Sequence, residues 1–168
     1  HVFLHGYRPG ALAARGFDAE QVAALSPGIV VAELSAYGHA GPWAQRRGFD
    51  SLVQTATGFN TDEAQAAGTP QQPRALPLQI LDYGAGYLLA FAIQAALLRQ
   101  AQEGGSWRVR VSLAGVGGWL RSLGRVADGF AVTAPDFAPY RTEEDSGFGR
   151  LTALRHAAQF SRTTARWT

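Results

Sequence analysis

From Tyr83 to Gln102 the chain runs through alanine, leucine and aromatic residues without a proline, and meets no charge before Arg99. Such a run folds as a long helix, and the rest of the chain must be arranged around it. Arg99 and Gln100 cut it short of the roughly 20 apolar residues that a membrane crossing takes, so it reads as a buried core helix. Just ahead lies a short apolar run, Pro77 to Leu81, which reads as a strand.

The same alternation recurs on both sides. Val2 to Leu4 reads as the end of a buried strand, and the turn Gly6-Tyr7-Arg8-Pro9-Gly10 follows it. A short helix closes at Gly16, and Asp18 caps a second one, Ala19 to Leu25, that stops at Ser26-Pro27-Gly28. Ile29 to Leu34 is β-branched and apolar, the pattern of a buried parallel strand. Phe49 to Thr57 is helical in pattern, and Asn60 to Arg74 is a polar surface excursion. Trp107, Val109, Val111 and Leu113 alternate with Arg108, Arg110 and Ser112, as in a half-buried strand. Ala114 to Leu123 is a helix loosened by three glycines.

This order implies an α/β fold over residues 1–124, with a parallel or mostly parallel sheet and flanking helices. From Arg125 the pattern fades. Residues 125–168 are expected to form an irregular C-terminal segment of the same unit. Within it Glu143-Glu144-Asp145 reads as a solvated loop, and Leu151 to Phe160 as strand or helix.

Composition narrows the chemistry. With 168 residues, 46% hydrophobic and 17% charged, the chain can bury a core. The net charge is only +2 and there is no dense basic stripe, which argues against duplex binding. All fifteen basic residues are arginine, whose planar fork suits phosphate. The absence of cysteine removes disulfides, thiolate catalysis and cysteine-ligated metals. His1, His5, His39 and His156 show no metal-ligand spacing, and there is no G-x-S-x-G elbow. No signal peptide is visible, so a cytoplasmic location is expected. A chain that begins at His1 and contains no methionine is expected to be processed or part of something larger.

Asp82 stands where the apolar run Pro77 to Leu81 meets the long helix, and Tyr83-Gly84-Ala85-Gly86 follow. Aspartate is a favoured helix N-cap, and that alone accounts for its place. A carboxylate at a helix mouth beside glycines is also a candidate nucleophile, since it is ionised at neutral pH and needs no base.

Three stretches in fixed order carry a resemblance: HGYRPGALAARGF (His5 to Phe17), ELSAYGHAGPWAQRRGFDSLVQTATG (Glu33 to Gly58) and LPLQILDYGAGYLLAFAIQAALLRQAQEGGSWRVRVSL (Leu76 to Leu113). Together they resemble the family III CoA-transferases, also called the CaiB/BaiF family. That family carries an N-F-x-P-G turn, an S-G-[FY]-G-x-x-G-P loop, a P-G-[FY]-D helix start, D-x-x-[TG]-G opening a long helix, and a G-x-G-Q-x-V-D-V-S-L strand.

The resemblance implies transfer of coenzyme A from an acyl-CoA to a carboxylic acid. Asp82 falls on the family's catalytic aspartate, which forms a mixed anhydride and then an aspartyl-CoA thioester. Gly84 and Gly86 are implied to leave room for the thioester. Tyr7 matches the aromatic near the adenine, Arg8 lies in the same turn, and Arg15 lies one step from a basic position used for CoA phosphate. Arg47 matches a basic residue close to the pantetheine, and Tyr37, Gly38 and His39 lie on the loop lining the CoA tunnel. Phe49 and Asp50 complete the helix-start motif. The related α-methylacyl-CoA racemases place a histidine where Phe49 stands, and phenylalanine cannot relay a proton.

There are departures. Gly6 replaces the usual Asn, Ala85 a frequent Thr, Ser106-Trp107 the usual G-Q, and Arg110 the Asp of V-D-V-S-L. Leu81 and Tyr83 are large and are expected to narrow the tunnel beside Asp82. The family's N-terminal half and later glycine-rich loop have no counterpart here. Its chains interlock as dimers, so a homodimer or association with a missing half is implied. A non-catalytic CoA-binding module is the alternative from another class.

Overall fold

The computed structural model describes residues 1–163. Within them the first unit, His1–Val126, holds a three-stranded parallel sheet of order β1-β2-β3. β1 is Val2–His5, β2 Val30–Ser35 and β3 Trp107–Ser112. Parallel neighbours need crossovers. α1 (Ala19–Leu25) supplies the first, and α2 (Asp50–Ala56), α3 (Phe59–Ala66) and α4 (Ile80–Glu103) the second. α5 (Leu113–Ser122) follows β3 directly.

α1 begins as its sequence predicts. Asp18 accepts from the Gln21 N–H at 2.8 Å and Gln21 returns a bond to the Asp18 N–H, a reciprocal capping box. β2 is the central strand, and Val30, Val31 and Ala32 are fully or almost fully buried. β1 is only half-buried, contrary to the sequence reading. It lies at an edge of the sheet, and Val2 and Leu4 face outward while Phe3 and His5 turn inward.

The main core joins Val53, Phe59, Leu81, Ala85, Leu113 and Val116, so α2 to α5 close over one side of the sheet. Two glycines allow the close approach. A Cβ on Gly84 would meet Val116 Cγ1 at 2.8 Å, and one on Gly117 would meet Phe59 Cε2 at 2.9 Å. Arg121 ties α5 across to α3, donating to Asp62 at 2.8 Å and lying 4.0 Å over the Phe59 ring.

Three expectations are corrected. Residues 59–66 form a helix rather than a polar excursion, because Phe59 and Ala64 are buried and anchor it. The run Pro77 to Leu81 is not a strand: α4 starts at Ile80. The backbone ahead of it is held by a side chain, since Gln54 accepts from the Leu76 N–H and donates to the Leu78 carbonyl, both at 3.2 Å. Finally, α4 is not buried all round. It sets Leu81, Ala85, Leu89 and Ala96 into the core and leaves Tyr83, Tyr87, Phe91 and Leu98 exposed. By length and composition alone it is long and apolar enough to cross a membrane.

The second unit starts at Ala127. It carries an antiparallel hairpin, β4 (Arg141–Ser146) and β5 (Gly149–Leu154). Glu143-Glu144-Asp145 therefore lie in a strand rather than a loop, and Leu151 begins no helix. Alternate residues of β4 are half-buried, and Arg150 donates to Glu143 across the pair at 2.6 Å.

Candidate active site

Asp82 is the third residue of α4, one turn further in than a cap. The N-cap position is Gln79, whose side chain caps nothing. The orphan N–H groups of a helix start need acceptors, and here a different helix supplies one. Asp50, the first residue of α2 and almost fully buried, accepts from the Asp82 N–H through Oδ2 at 2.8 Å. Its other oxygen, Oδ1, accepts from Gln54 Nε2. Gln54 in turn holds Leu76 and Leu78. The approach to α4 and its first turn are thus fixed from α2.

This leaves the Asp82 carboxylate unused by the helix and exposed. Partial desolvation of the carboxyl by its surroundings nevertheless raises its pKa, and the charge of Asp50 raises it further. It lines an open groove of about 600 Å³, with Gln79, Tyr83, Gly86, Tyr87 and Ala90. Gly86 opens onto free space, with nothing within 4 Å of a built Cβ, whereas Gly84 faces Val116 in the core. Leu81 is buried in the core and does not narrow the groove; Tyr83 does line it.

A second concavity, of about 430 Å³, gathers Tyr7, Arg8, Arg15, Arg46, Arg47 and Phe49 around Gly48 and the end of β2. Four arginines converge there. Among the described residues, Arg8, Arg15 and Arg47 have no carboxylate partner, and Arg46 lies 4.7 Å over the Trp43 ring. Cationic forks without a partner acid are suited to a multiply charged anion such as phosphate. The start of α2 touches both parts: Phe49 lines the arginine pocket, and the next residue, Asp50, accepts from the Asp82 N–H.

Tyr37, Gly38 and His39 do not line this pocket. Tyr37 packs edge-on against Trp43 at 5.1 Å and lies 3.1 Å from where a Cβ on Gly48 would stand. Gly38 takes the left-handed region, φ 93°, and donates to Ser35 Oγ at 3.1 Å. His39 joins a separate polar cluster around Glu33, at 3.8 Å, with His5 at 3.7 Å on the other side. The sheet register sets His5, Glu33 and Arg110 in one row, and Arg108 follows on the same face. Burial alone would raise the Glu33 pKa. Hydrogen bonds from Arg108 at 2.6 Å and Arg110 at 3.0 Å outweigh it and hold the carboxyl at about 2. Burial also pushes the His39 pKa down.

Gln54, Arg46, Gln79, Tyr87 and Glu33 escape the sequence reading. Gln54 was reachable, because it follows Asp50 by four residues on one helical face. Arg46 adjoins Arg47. Among the described residues there is no group of three metal-ligating side chains.

Residues 1–136 match the model of CoA-transferase family III. The chain belongs to CoA-transferase family III. This family III chain is 33% identical, over 67% of its length, to a probable fatty acyl-CoA transferase of Mycobacterium tuberculosis, of which it covers 28%. It is 28% identical over 99% of its length to the succinyl-CoA–L-malate CoA-transferase alpha subunit of Chloroflexus aurantiacus, covering 36% of that protein. Human succinyl-CoA:glutarate CoA-transferase is 29% identical over 61% of the chain, which covers 23% of it. A crystal structure of the M. tuberculosis protein superimposes with a TM-score of 0.65 at 31% identity, over 73% of this chain and 34% of that one. The family III chain thus spans between about a seventh and two-fifths of these and other relatives it matches.

Proposed function

We propose that this chain carries the nucleophile-bearing part of an acyl-CoA:carboxylate CoA-transferase, with Asp82 as the nucleophile. The observation that carries the reading is the relief of Asp82 from capping duty. Asp50 takes the Asp82 N–H, and the Asp82 carboxylate lines an open groove.

In this reading the Asp82 carboxylate attacks the acyl carbon of the donor thioester, and the C–S bond breaks to release CoA thiolate. The product is a mixed anhydride. The thiolate then attacks the Asp82 carbonyl, expelling the donor acid as its carboxylate and leaving an aspartyl-CoA thioester. The acceptor carboxylate attacks that thioester and releases thiolate again. Thiolate finally attacks the acceptor's acyl carbon, which yields the new acyl-CoA and returns Asp82 to its ionised form. No net proton moves. The positive end of the α4 dipole would favour the negative charge that develops on the Asp82 carbonyl.

Coenzyme A would place its phosphates among Arg8, Arg15, Arg46 and Arg47 and its adenine against Tyr7. Its pantetheine would pass Phe49 toward Asp82. Turnover is assigned to an assembly with further family III polypeptide, as a homodimer or as a pair with the part of the relatives that this chain does not span.

The test is intact mass after incubation with acyl-CoAs. A CoA or acyl adduct on the parent that disappears in Asp82→Asn supports the reading. Absence of any adduct with unchanged CoA binding in Asp82→Asn leaves a binding module instead.

A further inference from the structure

We infer that the groove beside Asp82 is the acyl pocket, and that it selects uncharged apolar acyl groups of medium length over dicarboxylic ones. The inference rests on the transferase reading and adds a substrate class to it.

The groove is laid out along one helix. Asp82, Gly86 and Ala90 follow each other at intervals of four residues and form one row on the surface of α4. Gln79, Tyr83 and Tyr87 form the adjoining row, which Phe91 continues. The first row is small, so it makes a floor. The second is aromatic, so it makes a wall. At 1.5 Å per residue the floor runs about 12 Å from Asp82 to Ala90, room for an extended medium-length acyl chain.

Charge decides the class. Among the described residues, the only charged side chain lining the groove is Asp82 itself, which is anionic. A second carboxylate on the acyl group would find no arginine or lysine there, and would lie in the field of Asp82. Gln79 and the tyrosine hydroxyls offer neutral donors only, and an ionised group drawn from water without an opposite charge is disfavoured. Four arginines are gathered in the other concavity instead. Tyr83 and Tyr87 are 64% and 78% exposed, and an apolar acyl chain laid against them would remove that surface from water.

The experiment follows covalent labelling of the full chain by octanoyl-CoA, butyryl-CoA and succinyl-CoA at equal concentration, with calorimetric binding of CoA and octanoyl-CoA alongside. Octanoyl-CoA is expected to label at least about tenfold faster than succinyl-CoA, a ratio set by about 1.4 kcal/mol. Tyr83→Arg should shrink that ratio by supplying a cation, and Ala90→Trp should depress octanoyl labelling more than butyryl labelling. Succinyl-CoA labelling as fast as octanoyl-CoA overturns the substrate class and leaves the transferase reading standing. Ratios unmoved in both variants overturn the placement of the pocket. If no acyl-CoA labels, about tenfold tighter binding of octanoyl-CoA than CoA keeps the groove and rejects the nucleophile; equal binding rejects both.

Discussion

Replacing Glu33 by glutamine tests how the sheet is held together at the end of β2. The carboxyl sits at about 2 instead of 4.5 because Arg108 and Arg110 hydrogen-bond to it strongly enough to overcome its burial. At 1.36 kcal/mol per pH unit, that interval corresponds to about 3 kcal/mol at neutral pH. Solvent reaches both arginines, which are 40% and 44% exposed, and screening brings the contribution to about 2 kcal/mol.

The sign follows from the lowered pKa. The stabilisation is complete above 4.5 and is lost as the pH falls toward 2. Between about pH 7 and pH 3 the parent should therefore lose about 1–2 kcal/mol more than Glu33→Gln does. His39 adds a slope of the same sign, since burial lowers its pKa and the unfolded chain therefore takes up its proton first as the pH falls, so the comparison belongs in a His39→Gln background. Urea unfolding followed by tryptophan fluorescence at several pH values reads the difference directly. Parallel stability curves for the two proteins across that range would refute the argument.

Three further sets of substitutions have expected outcomes. Asp50→Asn keeps the shape but presents one acceptor where two donors arrive, which should cost about 1.5–3 kcal/mol in denaturant unfolding. Removing the Asp50 charge also takes away one of the two causes of the raised Asp82 pKa, so the acid limb of acyl labelling should move to lower pH. Gly84→Ala drives a Cβ to 2.8 Å from Val116 and should destabilise by about 1–2 kcal/mol, while Gly86→Ala, with open space around it, should stabilise by about 0.5–1 kcal/mol; thermal melts check both signs. Arg15→Ala and Arg47→Ala should each weaken CoA binding about tenfold by calorimetry and flatten its salt dependence.

The sequence made the repeating elements readable because their signals are local. The capping box at Asp18, the apolar run of β2 and the alternation of β3 all appear within a few residues. The arginine pocket was half-legible: Tyr7, Arg8, Arg15 and Arg47 do come together, through motifs that only a family resemblance connects. What stayed hidden depends on contacts across the chain. The start of α4 was misplaced because its capping acceptor is Asp50, far earlier in sequence. α3 was missed because a polar helix is held by Phe59 against Gly117. The Glu33 cluster exists only through strand register.

The clamp between Asp50 and the first turn of α4 bears on how this chemistry can be moved from one protein to another. A graft of residues 80–103 alone onto a foreign scaffold would bring the aspartate and leave behind the group that frees it. The Asp82 backbone N–H would then lack its acceptor, and the first turn would unwind until Asp82 stood at the N-cap, accepting from an N–H two or three residues on. The transplanted residue would fold back as a cap. The smallest portable unit therefore runs from Phe49 to the end of α4, with Gln54 included.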